Sequence, residues 1–342
     1  MNIYFASNLP GSNPLAMHDY IANDYPGTYN LTFKDSNHID IAITDNGRHL
    51  ANMKSRIKLN TQHGNLFLGD TSPEPQYNIN LTLAASESER NMMIKNGYHP
   101  YNVLPTGQPR TDRLFHLKDR KDIKEKYLLS KGLNPLSPTM LYAPTYSRGA
   151  FGFGKKLFFA SSESLEQDVL MARALMSAAR FSHFNIIIRL HKYLKRIYGP
   201  SLLPPYLAKE FEHAHVHDND SEPDSIPVLC ATDVLVTDFS SIAADFLALD
   251  RPIVFVDPQV DWSYTDKWHA TKDDRLAIGK VVKTHMEMMN AVVDFKDWGY
   301  SHVTQANRSV MIDKFQPNFD GKCSERVFQT IMRRYGQQLL EK

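Results

Sequence analysis

Cysteine is nearly missing from this chain: Cys230 and Cys323 are the only two among 342 residues. Two thiols without paired spacing build neither a disulfide framework nor a zinc site, so both are read as reduced and buried. Long apolar runs are missing as well. No stretch approaches the ~20 apolar residues needed to cross a bilayer, and the opening Met1-Asn2-Ile3-Tyr4-Phe5-Ala6 lacks the charged start and apolar core of a secretion signal. A cytoplasmic protein is the expectation. Neither sign of charge is in excess, with 39 Lys and Arg against 38 Asp and Glu, so the chain has no overall field of the kind that draws a protein to nucleic acid. The phosphate-loop, dinucleotide-fingerprint, nucleophile-elbow, His-Glu-x-x-His and protein-kinase patterns are all absent. What is present is an ordinary globular composition, 42% hydrophobic and 11% aromatic. At roughly 100–200 residues per domain, the length predicts about two domains.

In the first third, β-branched or alternating runs at 39–44, 57–60, 77–83 and 102–104 lie among polar turns, with a helical stretch at 86–96. A charge-dense stretch, 118–131, and a Gly, Asn and Pro turn cluster, 132–138, then interrupt the pattern. Beyond them come nearly continuous apolar runs at 140–143, 184–190, 234–237 and 252–256, the signature of strands covered on both faces. Helices are expected at 161–181, 241–249 and 287–295. The fold expected is α/β, two Rossmann-like domains facing a cleft, at 1–131 and 132–323, with a terminal helix at 324–342 that could pack back across the interface.

Residues 233–245 carry the sharpest local signal, an apolar strand running into Thr237, Asp238, Ser240 and Ser241 and then a helix. Ligands of open α/β sheets bind at the carboxyl ends of strands. Ser240 or Ser241 can cap the helix, and its first N–H groups suit an anion. A second strand, 186–188, ends in Arg189-Leu190-His191-Lys192, with Arg189 and His191 on one face, a cation and an imidazole suited to a pyrophosphate. The basic and aromatic segment 192–198 reads as a solvated helix face, or as a local contact to anionic polymer or lipid head groups. A third strand runs into Gln62-His63-Gly64-Asn65, where glycine allows a tight turn and close ligand approach, and His63 can accept a proton from an attacking hydroxyl. His213, His215 and His217 alternate and would offer metal ligands on one strand face; unliganded surface histidines are the reading adopted. The glycine and aromatic loop 147–156 is read as a mobile loop at the cleft mouth.

Taken in order, Gln62-His63-Gly64, Gly107-Gln108-Pro109-Arg110-Thr111-Asp112, Leu141-Tyr142-Ala143-Pro144-Thr145-Tyr146, Arg189-Leu190-His191, Thr237-Asp238-Phe239-Ser240-Ser241 and Asp320-Gly321-Lys322-Cys323-Ser324-Glu325-Arg326 resemble the CDP-glycerol glycerophosphotransferase family, which builds teichoic-acid and related phosphopolymers. The resemblance spans about residues 60–330. It implies the two-domain GT-B fold and transfer of glycerol phosphate, or a related polyol phosphate, from a CDP-activated donor to a hydroxyl of a lipid-linked or polymeric acceptor, with release of CMP. The first domain is then the acceptor side and the second the donor side. The resemblance further implies that His63 is the general base and that His191 contacts the donor phosphates. Ser240 and Ser241 would grip the pyrophosphate with Thr237, Asp238 and Arg189 beside them, while Gly64, Asn65, Gly107, Arg110 and Asp112 shape the cleft. Asp320 to Arg326 would begin the closing helix. No metal or cofactor is expected, and membrane contact would be peripheral, at the inner face. The chain departs from the usual family pattern at Gln62, where Trp is common, and at Lys192, where Pro is common. The alternative is a GT-B nucleotide-sugar glycosyltransferase or epimerase-like enzyme using a UDP-sugar; a non-catalytic anion-binding protein is a further class.

Overall fold

The computed structural model describes residues 1–36, 38–62, 78–144, 173–176, 183–189, 214–217, 220–238, 240–257, 270–293 and 302–341. They divide into two units: one from the described residues of Met1–Lys118 and Ile312–Lys342, the other from those between Asp119 and Met311.

The first unit opens with β1 (Asn2–Phe5), α1 (Asn13–Asp24), β2 (Asn30–Thr32), β3 (Ile39–Thr44), β4 (Ser55–Asn60) and β5 (Leu81–Leu83). It continues with α2 (Glu87–Lys95), β6 (Val103–Leu104) and α3 (Arg110–Leu117). Its sheet has the order β2-β1-β3-β4-β5-β6 with every pair parallel, Ile3 beside Ile41 and Thr44 beside Asn60. One face is built by period-two alternation: Ile3 and Phe5, Ile41 and Ile43, Ile57 and Leu59, Leu81 and Leu83 are all buried in one core. Met17 and Ile21, four apart on α1, close that core, so the alternating strand pattern and the helical spacing meet at one surface. α1 starts where its sequence says a helix can: Ser12 accepts a hydrogen bond from Leu15 N–H at 3.3 Å, and Pro14 occupies the first turn.

The second unit holds α4 (Lys121–Ser130), β7 (Thr139–Tyr142), β8 (Asn185–Ile188), β9 (His215–Val216), α5 (Ile226–Ala231), β10 (Val234–Thr237) and α6 (Ile242–Leu247). After these come β11 (Ile253–Val256), α7 (Lys272–Ile278), β12 (Lys280–Val282) and α8 (His285–Val293). The order β12-β11-β10-β7-β8-β9, again all parallel, is the doubly wound arrangement whose sequence-first strand, β7, lies at the centre beside β10. Both faces are covered: Met140, Ile186, Val234 and Val254 line one core, and Leu141, Ile187, Leu235 and Phe255 on the other face are equally buried. That is why these strands read as continuous apolar runs. The stretch 118–131, read from sequence as a polar interruption, contains α4. Its carboxyl-terminal half buries Leu128, and Lys124 pairs with Asp233 at 2.7 Å.

α9 (His302–Phe315) and α10 (Cys323–Leu340) complete the chain. In the second unit, Arg308 of α9 is buried and donates to Ile278 O, Arg251 O and the Asp250 carboxylate. α10 returns to the first unit, where Val327, Phe328, Ile331 and Leu339, at helical spacing, join the core over the sheet. Among the described residues no helix is long and apolar enough to cross a membrane.

Candidate active site

In the first unit, the carboxyl ends of β3 and β4 are held together past the last paired residues. Thr61 donates both its N–H, at 2.6 Å, and its hydroxyl, at 2.9 Å, to Thr44 O. Gln62 then takes a left-handed conformation, φ 61°, which is costly for a residue with a Cβ and marks a constrained point of the backbone. Its N–H donates to the Asn60 side chain at 3.2 Å, and its carbonyl accepts from Asn13 at 3.0 Å. Asn13, at the start of α1, was not singled out by the sequence. Nothing local in Ser12-Asn13-Pro14 indicates contacts to residues 48 and 95 positions away. His63, Gly64 and Asn65 lie outside the described residues, so the structure carries the chain to the residue before His63.

The segments 107–112 and 320–326, read separately from sequence, form one junction. Gly107 has φ +88°, and a Cβ there would sit 2.5 Å from Cys323 Sγ and 2.9 Å from Asn318 Cβ, so only glycine fits. Arg110 begins α3, its N–H donating to Asn13 Oδ1 at 2.9 Å. Asp112 accepts from the N–H groups of Cys323 and Ser324, both at 2.7 Å, and thus caps the first turn of α10 from another helix. Arg326 binds Asp320 with one nitrogen and Thr106 O with another, while Asn318 donates to Ala85 O and Pro105 O. Cys323 is buried, as expected of it, and burial pushes its thiol far above the usual range, with the Asp112 carboxylate adding to the effect; it is not a nucleophile.

In the second unit, the strand order reverses between β7 and β10. Thr237, the last residue of β10, donates its hydroxyl to Ala143 O at 2.7 Å and ties the two strand ends together. Asp238, almost fully buried, accepts from Ser240 N–H at 3.0 Å. Ser240 and Ser241 follow, half-buried. The capping expectation is corrected for Ser241, which has αR dihedrals and makes no side-chain capping bond at the start of the six-residue α6; the Asp238 carboxylate holds the turn through Ser240 N–H. Behind it, Arg275 is fully buried and pairs with Asp257 at 2.9 Å. Burial lowers its pKa, opposed by the charges of Asp257 and Asp238. The lone Arg in α7 carries no sequence motif that would have revealed this role.

Arg189 follows β8, its N–H donating to Tyr142 O at 2.8 Å. Its Nε is buried without a hydrogen-bond partner among the described residues, and desolvation depresses its pKa against the pull of Tyr127, Asp245 and Asp224. His191 and the segment 192–198 lie outside the described residues, as do the loop 147–156, Phe239, His213 and most of the expected helix 161–181. The reading of surface histidines is corrected for His217, which is completely buried. His215, His217 and Glu222 bring ligand-type atoms within 4.8 Å of one another. In this structure these atoms are taken up by other partners. Lys131 Nζ is 2.6 Å from Glu222, His217 Nε2 lies 2.8 Å from Glu222 O, and His217 Nδ1 lies 3.3 Å from the Tyr127 hydroxyl. This is a hydrogen-bonded ion-pair network. Burial lowers the pKa of His217, reinforced by the Arg189 charge, and lowers that of His215; the ammonium of Lys131 and the two imidazoles hold the Glu222 carboxyl down against its own burial.

Two parallel α/β units with constrained polar groups at strand carboxyl ends are the setting for the comparison with known proteins. The family described as CDP-Glycerol:Poly(glycerophosphate) glycerophosphotransferase matches residues 32–333. The chain belongs to that family. It is 26% identical over 268 residues to the teichoic acid poly(ribitol-phosphate) polymerase of Bacillus spizizenii, covering 77% of this chain and 39% of that protein. To the teichoic acid poly(glycerol phosphate) polymerase of the same organism it is 26% identical over 237 residues, 67% of this chain and 53% of the relative. The chain therefore spans about two fifths to a half of the length of these curated relatives. Among solved structures, the wall teichoic acid polymerase TagF, in a histidine-to-alanine variant, superposes with a TM-score of 0.72 at 16% identity over 99% of this chain and 90% of that one. The UDP-GlcNAc 2-epimerase of Neisseria meningitidis gives 0.54 at 13% identity over 94% and 81%. These likenesses establish the fold expected from the sequence, α/β with two Rossmann-like units of the GT-B class.

Proposed function

We propose that this chain transfers glycerol phosphate, or a related polyol phosphate, from a CDP-activated donor to a hydroxyl of a polymeric or lipid-linked teichoic-acid-type acceptor, releasing CMP. The observation that carries this reading is the family match across residues 32–333. The similar solved polymerase was also soaked with CDPG as a variant with one histidine changed to asparagine, which favours a CDP-linked donor here over a UDP-sugar. In this reading the first unit, to which the closing helix belongs, serves the acceptor, and the second unit holds the donor.

His63 is assigned as the base that takes the acceptor proton. His191 and Arg189 face the donor phosphates, with Thr237, Asp238, Ser240 and Ser241 at the switch point of the second sheet beside them. Arg189 is half-buried, and its Nε is buried without a hydrogen-bond partner among the described residues, which is chemically suited to an anion. Displacement at phosphorus needs positioning and charge stabilisation more than covalent help from the protein, and these residue types supply both. Gly64, Asn65, Gly107, Arg110 and Asp112 are assigned to shaping the cleft. Membrane contact at the inner face, through 192–198, belongs to this proposal and not to the family match. The test is a split of binding from turnover. His63→Ala should bind CDP-glycerol normally and lose CMP release by ~10²–10⁴-fold, the usual worth of a general base, while Ser240→Ala weakens donor binding; full turnover by the His63 variant would overturn the assignment.

A further inference from the structure

We infer that Asn13 is a positioning residue for the acceptor-side reaction, setting the direction in which the backbone leaves β4 toward His63. The inference rests on the function proposed above but on its own geometry. Asn13 is 1% exposed. Its side-chain nitrogen lies 3.2 Å from Thr61 O, 3.0 Å from Gln62 O and 2.8 Å from Gln108 Oε1, and its side-chain oxygen accepts the Arg110 N–H at 2.9 Å. Chemistry fixes the amide orientation, since a backbone N–H can only donate and the three oxygens only accept. Aspartate has the shape but no donor, and serine has a shorter reach and a single hydrogen to donate.

The consequence falls on Gln62. Its N–H is held by Asn60 and its carbonyl by Asn13, so both peptide groups flanking this left-handed residue are tied down. Because a peptide unit is planar, fixing the Gln62 carbonyl fixes the plane of the bond to residue 63. Asn13 stands at the start of a capped, proline-braced helix, and its partners lie on β4's exit and at the start of α3, so the anchor is built on rigid elements. A family pattern with Trp at position 62 differs here, and the polar clamp on a left-handed Gln is what this chain shows in its place.

The test compares wild-type full chain with Asn13→Ala, Asn13→Ala/Gln62→Gly and His63→Ala. Three readouts are used: CMP release from CDP-glycerol on a polymeric glycerol-phosphate acceptor, CDP-glycerol binding, and amide hydrogen exchange of peptides covering 58–62. Asn13→Ala should lower kcat by about 30- to 100-fold, the effect of an ångström-scale misplacement. Its donor affinity should stay within about threefold of wild type, and exchange at 61–62 should speed at least about tenfold. Adding Gln62→Gly removes the left-handed penalty and should restore the melting temperature without restoring kcat; it also carries the test if Asn13→Ala alone fails to fold. Recovery of kcat together with stability would show a merely structural role and overturn the inference, as would unchanged exchange at 61–62. Exchange needs no turnover, so it judges Asn13 even if His63→Ala proves active and the assignment of the base falls.

Discussion

Replacing Asp112 by Ala isolates the contact that docks α10 onto the first unit. The carboxylate accepts two N–H groups, from Cys323 and Ser324, each at 2.7 Å. Those donors belong to the first turn of a helix, which has no intrahelical acceptors for them, and both residues are buried, Cys323 at 0% and Ser324 at 3% exposure, so water cannot take the place of the carboxylate. Hydrogen bonds to a charged group contribute about 1.5–3 kcal/mol each, and the charge at the helix start adds about 0.3–1 kcal/mol. Allowing for relaxation and non-additivity, Asp112→Ala should cost about 3–5 kcal/mol, at the upper end for a single substitution. Asp112→Asn, which keeps one acceptor but turns an amide N–H toward the other donor, should fall between that and wild type. The control is Asp122→Ala, which removes an exposed pair with Arg120 and should leave the unfolding midpoint nearly unchanged. The assay is urea unfolding followed by circular dichroism, with hydrogen exchange of peptides from 323–335 reporting the local opening of α10. A loss below about 0.5 kcal/mol for Asp112→Ala, with unchanged protection of α10, would refute the capping argument, because that is the range of ordinary surface changes.

Gly107→Ala should destabilise the same junction by about 2–4 kcal/mol, from the left-handed backbone and the collision with Cys323 Sγ, as read from the unfolding midpoint; an unchanged midpoint would mean the junction yields. Thr237→Val breaks the hydroxyl tie to Ala143 O and should lower stability by about 1 kcal/mol while weakening CDP-glycerol binding, measured by calorimetry; tighter binding would contradict the donor-side assignment. The network of His215, His217 and Glu222 predicts acid lability. Both imidazoles have depressed pKa values in the folded state, so the unfolded chain takes up protons first. Stability is then full above about pH 6.5 and falls as pH drops toward the folded values, with the depressed Glu222 carboxyl extending the loss in the same direction. His217→Gln should flatten the slope of stability against pH between about 6.5 and 5, and an unchanged slope would remove His217 from the account.

The fold was largely legible in the sequence because its signals are local. Runs such as 140–143 and 234–236 are apolar throughout because both faces of the second sheet are covered, and the alternation at 39–44 and 57–60 registers a core on one face. β2 and β9, at three and two residues, are too short to leave a periodic trace, and α4 hides its one fully buried leucine among nine half-buried or exposed neighbours. For the site, the positions of Thr237, Asp238, Ser240 and Ser241 followed from strand-to-helix punctuation, yet which side chain holds the turn did not, because Asp and Ser are equally good acceptors on paper. Asn13 and Arg275 act through partners distant in sequence, and His217 looked like a surface residue because its burial depends on Tyr127, Arg189 and Glu222 arriving from three other segments.

The central claim is the donor. Nucleotide release should be measured for CDP-glycerol, CDP-ribitol and common UDP-sugars, with wild type and His63→Ala side by side on a lipid-linked acceptor extract. The account predicts CMP from one CDP-polyol, lost in the variant, and no UDP. Turnover of a UDP-sugar with silence toward every CDP-polyol would contradict it.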